Sequence, residues 1–189
     1  MIILLAYGLS ILLFILITLW MLIPPLYGLP LVPTKPERIR KALKLVKLRP
    51  NQVLYDLGAG DGRVLFIAAR EFGSKAVGVE IGPVQCMLIW LRIKGGGLGT
   101  QIQVRWANFY KADVRQADVI YVYATSEEAI KLAPHLEKQL RKGTRVVSIS
   151  ADFPEWEPSA FNEHDLIFVY EMPPKRGNIT SFLMKRGKE

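Results

Sequence analysis

The chain has 189 residues, half of them hydrophobic, with 25 Lys and Arg against 17 Asp and Glu and a formal net charge of +8. That length holds one ordinary domain and an appendage. A single cysteine, Cys86, excludes a disulfide framework and cysteine-based metal spacing, as expected in a reducing compartment.

The appendage comes first. Met1–Thr34 carries no charged side chain, and Met1–Ile23 is almost wholly apolar. As a helix that stretch would rise roughly 35 Å at about 1.5 Å per residue, against about 30 Å of hydrocarbon in a bilayer. Pro24-Pro25 is expected to stop it, and Trp20 and Tyr27 suit the headgroup level. A cleaved secretory signal would bring a basic leader and a small-residue cleavage site, and neither is present. The pattern predicts a transmembrane anchor over residues 1–23, a Pro-rich connector over 24–36 and one domain over 37–189. Lys35, Arg38, Arg40, Lys41, Lys44, Lys47 and Arg49 follow, against Glu37 alone. They predict a single-pass protein with its domain on the cytoplasmic side, its basic cluster near anionic headgroups. Elsewhere basic residues are mixed with acids, which argues against a nucleic-acid surface.

Strands then alternate with helices. Glu37–Leu48 has Ile39, Leu43 and Val46 at helical spacing, Gln52–Asp56 is a short apolar strand, and Gly62–Phe72 a helix with a buried face. Ser74–Glu80, Ile102–Trp106, Ala117–Tyr123 and Thr144–Ser150 read as further strands, with helices over Pro83–Lys94 and Glu127–Leu140. Near the end, Leu166–Glu171 and Ile179–Lys185 are separated by Pro173, Pro174, Gly177 and Asn178, and read as an antiparallel hairpin. The expected fold is α/β: a Rossmann-like seven-stranded sandwich of five parallel strands and a C-terminal hairpin, covered on both faces.

The first strand runs into YDLGAGDGR, Tyr55–Arg63. Its glycines, Gly58, Gly60 and Gly62, are spaced G-x-G-x-G, and Arg63 stands where the dinucleotide fingerprint has its third glycine. Asp56 would repel a pyrophosphate but suits a ligand with an ammonium group. S-adenosylmethionine carries an ammonium and a sulfonium and no phosphate. Glu80 ends the second strand, where an acidic side chain can accept both ribose hydroxyls. Asn108 and Phe109 follow the third strand at the same edge; they read either as contacts to the adenine or as a loop amide and a core ring.

VPTKPERIRKAL (Val32–Leu43), VLYDLGAGDGRV, AVGVE, NFYKAD, HLEKQLRKGTRVVS and FPEWEP together resemble one group of seven-strand protein lysine methyltransferases. The group includes the mitochondrial membrane-anchored enzymes that modify adenine nucleotide translocase and the ATP synthase c-subunit, and a crenarchaeal broad-specificity enzyme. The resemblance spans roughly Val32–Pro158. It implies a class I methyltransferase fold and S-adenosylmethionine bound by Asp56, Gly58, Ala59, Gly60 and Glu80. It also implies Asn108 and Phe109 near the adenine and Thr34 over the methionine end. Lys35 stands where relatives commonly have a second proline, and YATSEE (Tyr123–Glu128) has no assigned catalytic role.

The resemblance implies methyl transfer to the ε-amino group of protein lysines, a membrane protein among the expected substrates, with no metal and no nucleic acid. A lysine must be neutral to react; at a reference pKa near 10.4 that costs about 4 kcal/mol at neutral pH. Tyr123 and Thr125 are the candidates for a channel that lowers this pKa and directs the amine, with Tyr110 and Trp156 as further walls. Tyr123 also reads as a strand-end core aromatic, and His135 and His164 as structural or exposed. Rival readings are methylation of a lipid or small membrane-associated molecule, and a non-catalytic cofactor-binding protein.

Overall fold

A computed structural model describes residues 2–26 and 34–187. The elements run α1 (Ile2–Leu26), α2 (Pro36–Leu45), β1 (Val53–Leu57), α3 (Arg63–Phe72), β2 (Lys75–Glu80), α4 (Pro83–Gly95), β3 (Ile102–Trp106), a 3-10 turn (Phe109–Lys111), β4 (Val119–Tyr123), α5 (Ser126–Gln139), β5 (Arg145–Ile149), β6 (Ala160–Asn162), β7 (Ile167–Glu171) and α6 (Ile179–Arg186). The sheet order is β3-β2-β1-β4-β5-β7-β6. β1 to β5 pair in parallel, and β7 lies antiparallel between β5 and β6.

Strand alternation builds two cores. Leu54, Val119, Tyr121, Val147 and Ile149 face a layer containing Ile39 and Leu43 of α2, Leu65 and Ala68 of α3, and Ile89 and Ile93 of α4. Tyr55, Leu57, Val77, Ile120 and Val122 face the other way, toward Ala129, Leu132 and Leu136 of α5 and toward Phe153 and Trp156. Both faces are covered, which is why the central strands read as continuous apolar runs. At Gly78 in β2 an added Cβ would come within 2.7 Å of Leu65 Cδ1 and 2.9 Å of Ala59 Cβ, so α3 and the glycine turn sit directly on the strand.

The expected fold class and five-strand parallel core hold, and three expectations are corrected. The hairpin is not Leu166–Glu171 with Ile179–Lys185: β7 pairs with the short β6, and Ile179–Arg186 is helical. Asn178, expected in the hairpin turn, is instead the N-cap of α6 in a capping box with Ser181. Second, α1 does not stop before Pro24-Pro25 but runs to Leu26.

Third, among the described residues no helix is long and apolar enough to cross a membrane. This overturns the single-pass membrane placement and, with it, the cytoplasmic assignment drawn from the anchor's flanks. Of the expected connector, residues 27–33, including Tyr27, lie outside the described residues, as do the side chains of residues 20–26, Trp20 among them.

Candidate active site

The strand order reverses between β1 and β4, and the crevice at their C-terminal ends is where open α/β sheets bind ligands. β1 delivers Asp56 to that edge and the chain then turns through Gly58, Gly60 and Gly62, with φ of 88°, 55° and 78°. All three lie in the left-handed region that favours glycine. A Cβ at Gly62, the N-cap of α3, would also meet Ile89 Cγ1 at 2.9 Å.

Glu80, 5% exposed, braces this turn. One carboxylate oxygen accepts the Gly60 N–H at 2.7 Å and the other accepts the Gly82 N–H at 2.8 Å. Burial pushes the Glu80 carboxyl up, and the backbone donors of Gly82 and Gly60 pull it back. Because Glu80 takes the Gly60 N–H, that amide is not offered to a phosphate. Gly58 and Ala59 donate to Val79 O at 2.9 and 3.1 Å, which ties the start of the turn to β2.

Asp56 is 3% exposed and its Oδ2 has no partner. Burial, then the Glu80 and Asp61 carboxylates, push its pKa well up. Directly across the register sits Tyr121, 2% exposed, whose hydroxyl is also buried without a hydrogen bond. The Thr34 side chain lies close enough to that hydroxyl to pull its pKa partly back, but the two do not meet in hydrogen-bond geometry. Thr34 itself is 9% exposed, and its carbonyl accepts from Arg63 Nη1 at 2.9 Å. Asp61 holds the Arg63 guanidinium through both carboxylate oxygens, Oδ1 accepting from Nε and Oδ2 from Nη2.

A buried carboxylate oxygen and a buried phenol, adjacent and both without a hydrogen bond, are costly in an ordinary core. Their donors and acceptors match the zwitterionic end of an amino-acid-like ligand, so the residues present fit S-adenosylmethionine. Tyr121 does not figure among the sequence candidates. The signal that finds it is strand alternation, which puts residue 121 on the Asp56 face once β1 and β4 are taken as neighbours.

The remaining candidates divide. Tyr123 is half-buried at the tip of β4, with the Arg38 guanidinium 5.9 Å from its ring centroid. Arg38 is tied to Asp165 O at 2.8 Å and to Ser150 Oγ at 3.0 Å. Thr125 has a different job: it is the N-cap of α5, its Oγ1 donating to Glu128 Oε2 at 2.8 Å and accepting the Glu128 N–H at 3.3 Å. The Thr125 hydroxyl is thus committed to the helix end.

Asn108 Oδ1 accepts the Tyr110 N–H at 2.9 Å, capping the 3-10 turn. Phe109 is 4% exposed in the second core, its ring 4.2 Å from that of Tyr110. Trp156 is 1% exposed, stacked on Phe153 at 4.3 Å and donating from Nε1 to Glu137, so it walls no channel. His135 bonds Ala112 O at 2.9 Å, and the His164 side chain is 89% exposed. Burial, then Glu80, push the Cys86 thiol up to about 12, which disfavours its thiolate at neutral pH.

With this geometry the similarities to known proteins agree. The family model described as the ANTKMT methyltransferase domain matches residues 56–160. A protein-lysine N-methyltransferase of Saccharolobus islandicus (strain REY15A) is 35% identical over 130 residues, covering 68% of this chain and 81% of that protein. The Mus musculus lysine N-methyltransferase of the ATP synthase c-subunit is 28% identical over 154 residues, covering 79% of this chain and 60% of the mouse protein. Among solved structures, an RNA methyltransferase from Salinibacter ruber in complex with S-adenosyl-L-homocysteine superposes with a TM-score of 0.72 at 33% identity, over 77% of this chain and 97% of that one. The chain belongs to the ANTKMT methyltransferase domain family and is an S-adenosylmethionine-dependent methyltransferase.

Proposed function

We propose that this chain methylates the ε-amino group of protein lysines. The observation that carries the reading is its 35% identity, across most of both chains, with a protein-lysine N-methyltransferase. In this reading the enzyme unit is residues 37–189. Asp56 faces the ammonium of the cofactor, Gly58, Ala59 and Gly60 run along its amino-acid chain, and Thr34 covers that end. Glu80 accepts the ribose hydroxyls with lone pairs that Gly60 and Gly82 leave available. Asn108 and the edge of Phe109 flank the adenine.

The bound cofactor supplies a methyl group made electrophilic by its sulfonium. What the protein contributes is position and a suitable field. Tyr123 lines the approach of the lysine, and the Arg38 guanidinium over its ring favours the neutral amine over the ammonium. Thr125 is left out of the chemistry because its hydroxyl is occupied.

A second reading, methylation of RNA, is favoured by the similarity to the Salinibacter ruber protein. One experiment separates them. The purified chain is incubated with methyl-labelled cofactor and, in separate tubes, with total protein and total RNA. Label in protein, recovered as methyl-lysine by mass spectrometry, supports the lysine reading; label confined to RNA would sink it.

A further inference from the structure

Beside Asp56 and Tyr121, a third buried oxygen near the crevice has no partner: Oε1 of Glu128. The zwitterionic end of the cofactor accounts for the first two and leaves this one unexplained. Glu128 is the third residue of α5 and is 5% exposed. Its Oε2 is fixed by the Thr125 N–H at 2.7 Å and the Thr125 hydroxyl at 2.8 Å. That pair of bonds draws the carboxylate back over the helix end, against the exit of β4 just beyond Tyr123.

Capping needs one oxygen and works at an exposed helix end. Burying the other oxygen unpartnered is costly, and such a group calls for an explanation. Its surroundings suggest one. Burial, then Glu128, push the Tyr110 hydroxyl up, which sets that phenol within electrostatic reach of the carboxylate. Phe109, Ala124 and Ala129 are buried in the same core. Lys131 makes its ion pair with Glu127 at 2.6 Å and acts on Glu128 only through its charge, so Glu128 Oε1 keeps no direct partner. An anionic acceptor among apolar and aromatic side chains suits an alkylamine.

We propose that Glu128 Oε1 receives the ε-nitrogen of the substrate lysine, accepting one N–H and directing the lone pair toward the cofactor. The assignment rests on the lysine reading above. In the reaction the C–N bond forms as the C–S bond breaks, the sulfur keeps the bonding pair, and the nitrogen takes on the positive charge before losing a proton to solvent. Glu128 stands beside the atom where that charge develops.

The test is Glu128→Gln, which keeps an oxygen for the Thr125 N–H. With a lysine peptide from a protein that the wild-type chain labels, kcat/KM falls about 10- to 100-fold, the range of a charge-assisted hydrogen bond. Affinity for S-adenosylhomocysteine, measured by calorimetry, stays within about two-fold. In the presence of S-adenosylhomocysteine, wild type binds the lysine peptide more tightly than its norleucine counterpart, and the variant loses this preference. An unchanged kcat/KM overturns the proposal. So does a parallel loss of cofactor affinity, or a variant that no longer folds, since each gives Glu128 another job. Wild-type protein that binds the cofactor but labels no lysine removes the underlying reading instead.

Discussion

Glu80 accepts the Gly60 N–H at 2.7 Å, so the residue expected to hold the ribose also braces the glycine turn that precedes it. Its other oxygen does the same for Gly82. Glu80→Ala would strip two backbone donors of their acceptor at a buried site, at about 1–3 kcal/mol each. Urea unfolding of the cofactor-free protein is expected to register a loss of about 2–5 kcal/mol, together with loss of cofactor binding. A variant that unfolds like wild type would mean that water replaces the carboxylate and that the brace is dispensable.

Asp56 predicts a pH dependence. Its pKa is raised in the folded protein, first by burial and then by Glu80 and Asp61, from an ordinary 3.8. The native state therefore holds a proton that the unfolded chain has released, and stability falls as pH rises from about 4 through the raised value. Asp61 and Glu157, both lowered, act in the opposite sense. The measurement is therefore the difference between wild type and Asp56→Asn across pH 3–8. Wild type should lose ground to the variant as pH rises, and the variant should bind the cofactor at least about ten-fold more weakly, as loss of a charged partner implies. A flat difference curve would remove the buried-carboxylate account.

The parts of this molecule legible in the sequence are those encoded locally. Asp56, the three glycines and Glu80 lie within one strand–turn–helix–strand unit, so their chemistry shows in one short stretch. Tyr121 is 65 residues from Asp56 and acquires its role only through cross-strand register. The hairpin is displaced from its expected position because Pro173, Pro174, Gly177 and Asn178 are turn formers that also precede helices, and because β6 has only three residues to announce it. Thr125 reads as a channel residue although T-S-E-E, a capping-box pattern, stands in the chain. Trp156 belongs to a stack with Phe153 that no spacing rule reveals.

The last helix is held by Ile179, half-buried against the second core, and by one carboxylate. No residue of α6 is buried, yet Glu157 receives Lys175 at 2.8 Å, Lys185 at 2.7 Å and Ser181 at 3.3 Å. Hydrogen bonds from Lys175 and then Lys185 hold its carboxyl down to about 2. The contribution is present above the ordinary 4.5 and is lost as pH falls toward 2. Glu157→Gln should speed amide hydrogen exchange in residues 179–186 at neutral pH while leaving β4 and β5 protected. Equal exchange in both proteins would show that α6 is held by something other than this carboxylate.

Tyr121→Phe sets stability against binding. In the cofactor-free protein the Tyr121 hydroxyl is buried and unpartnered, and burial, then Asp56, raise its pKa far above the ordinary tyrosine value. Removing the oxygen removes its desolvation penalty without leaving a hole larger than one atom. Tyr121→Phe is therefore expected to be about 1 kcal/mol more stable than wild type without cofactor. If the hydroxyl serves the amino-acid end of the cofactor, the same change weakens binding by about ten-fold, one ordinary hydrogen bond. Ligand-induced stabilisation then shrinks by the corresponding amount, so the order of the two proteins is closest to reversing when cofactor saturates both. Thermal unfolding with and without S-adenosylhomocysteine reads both effects in one series. A variant less stable in both conditions would mark Tyr121 as a packing residue. One more stable in both, with affinity intact, would leave its buried hydroxyl without a cofactor role and return the search for its partner to Thr34.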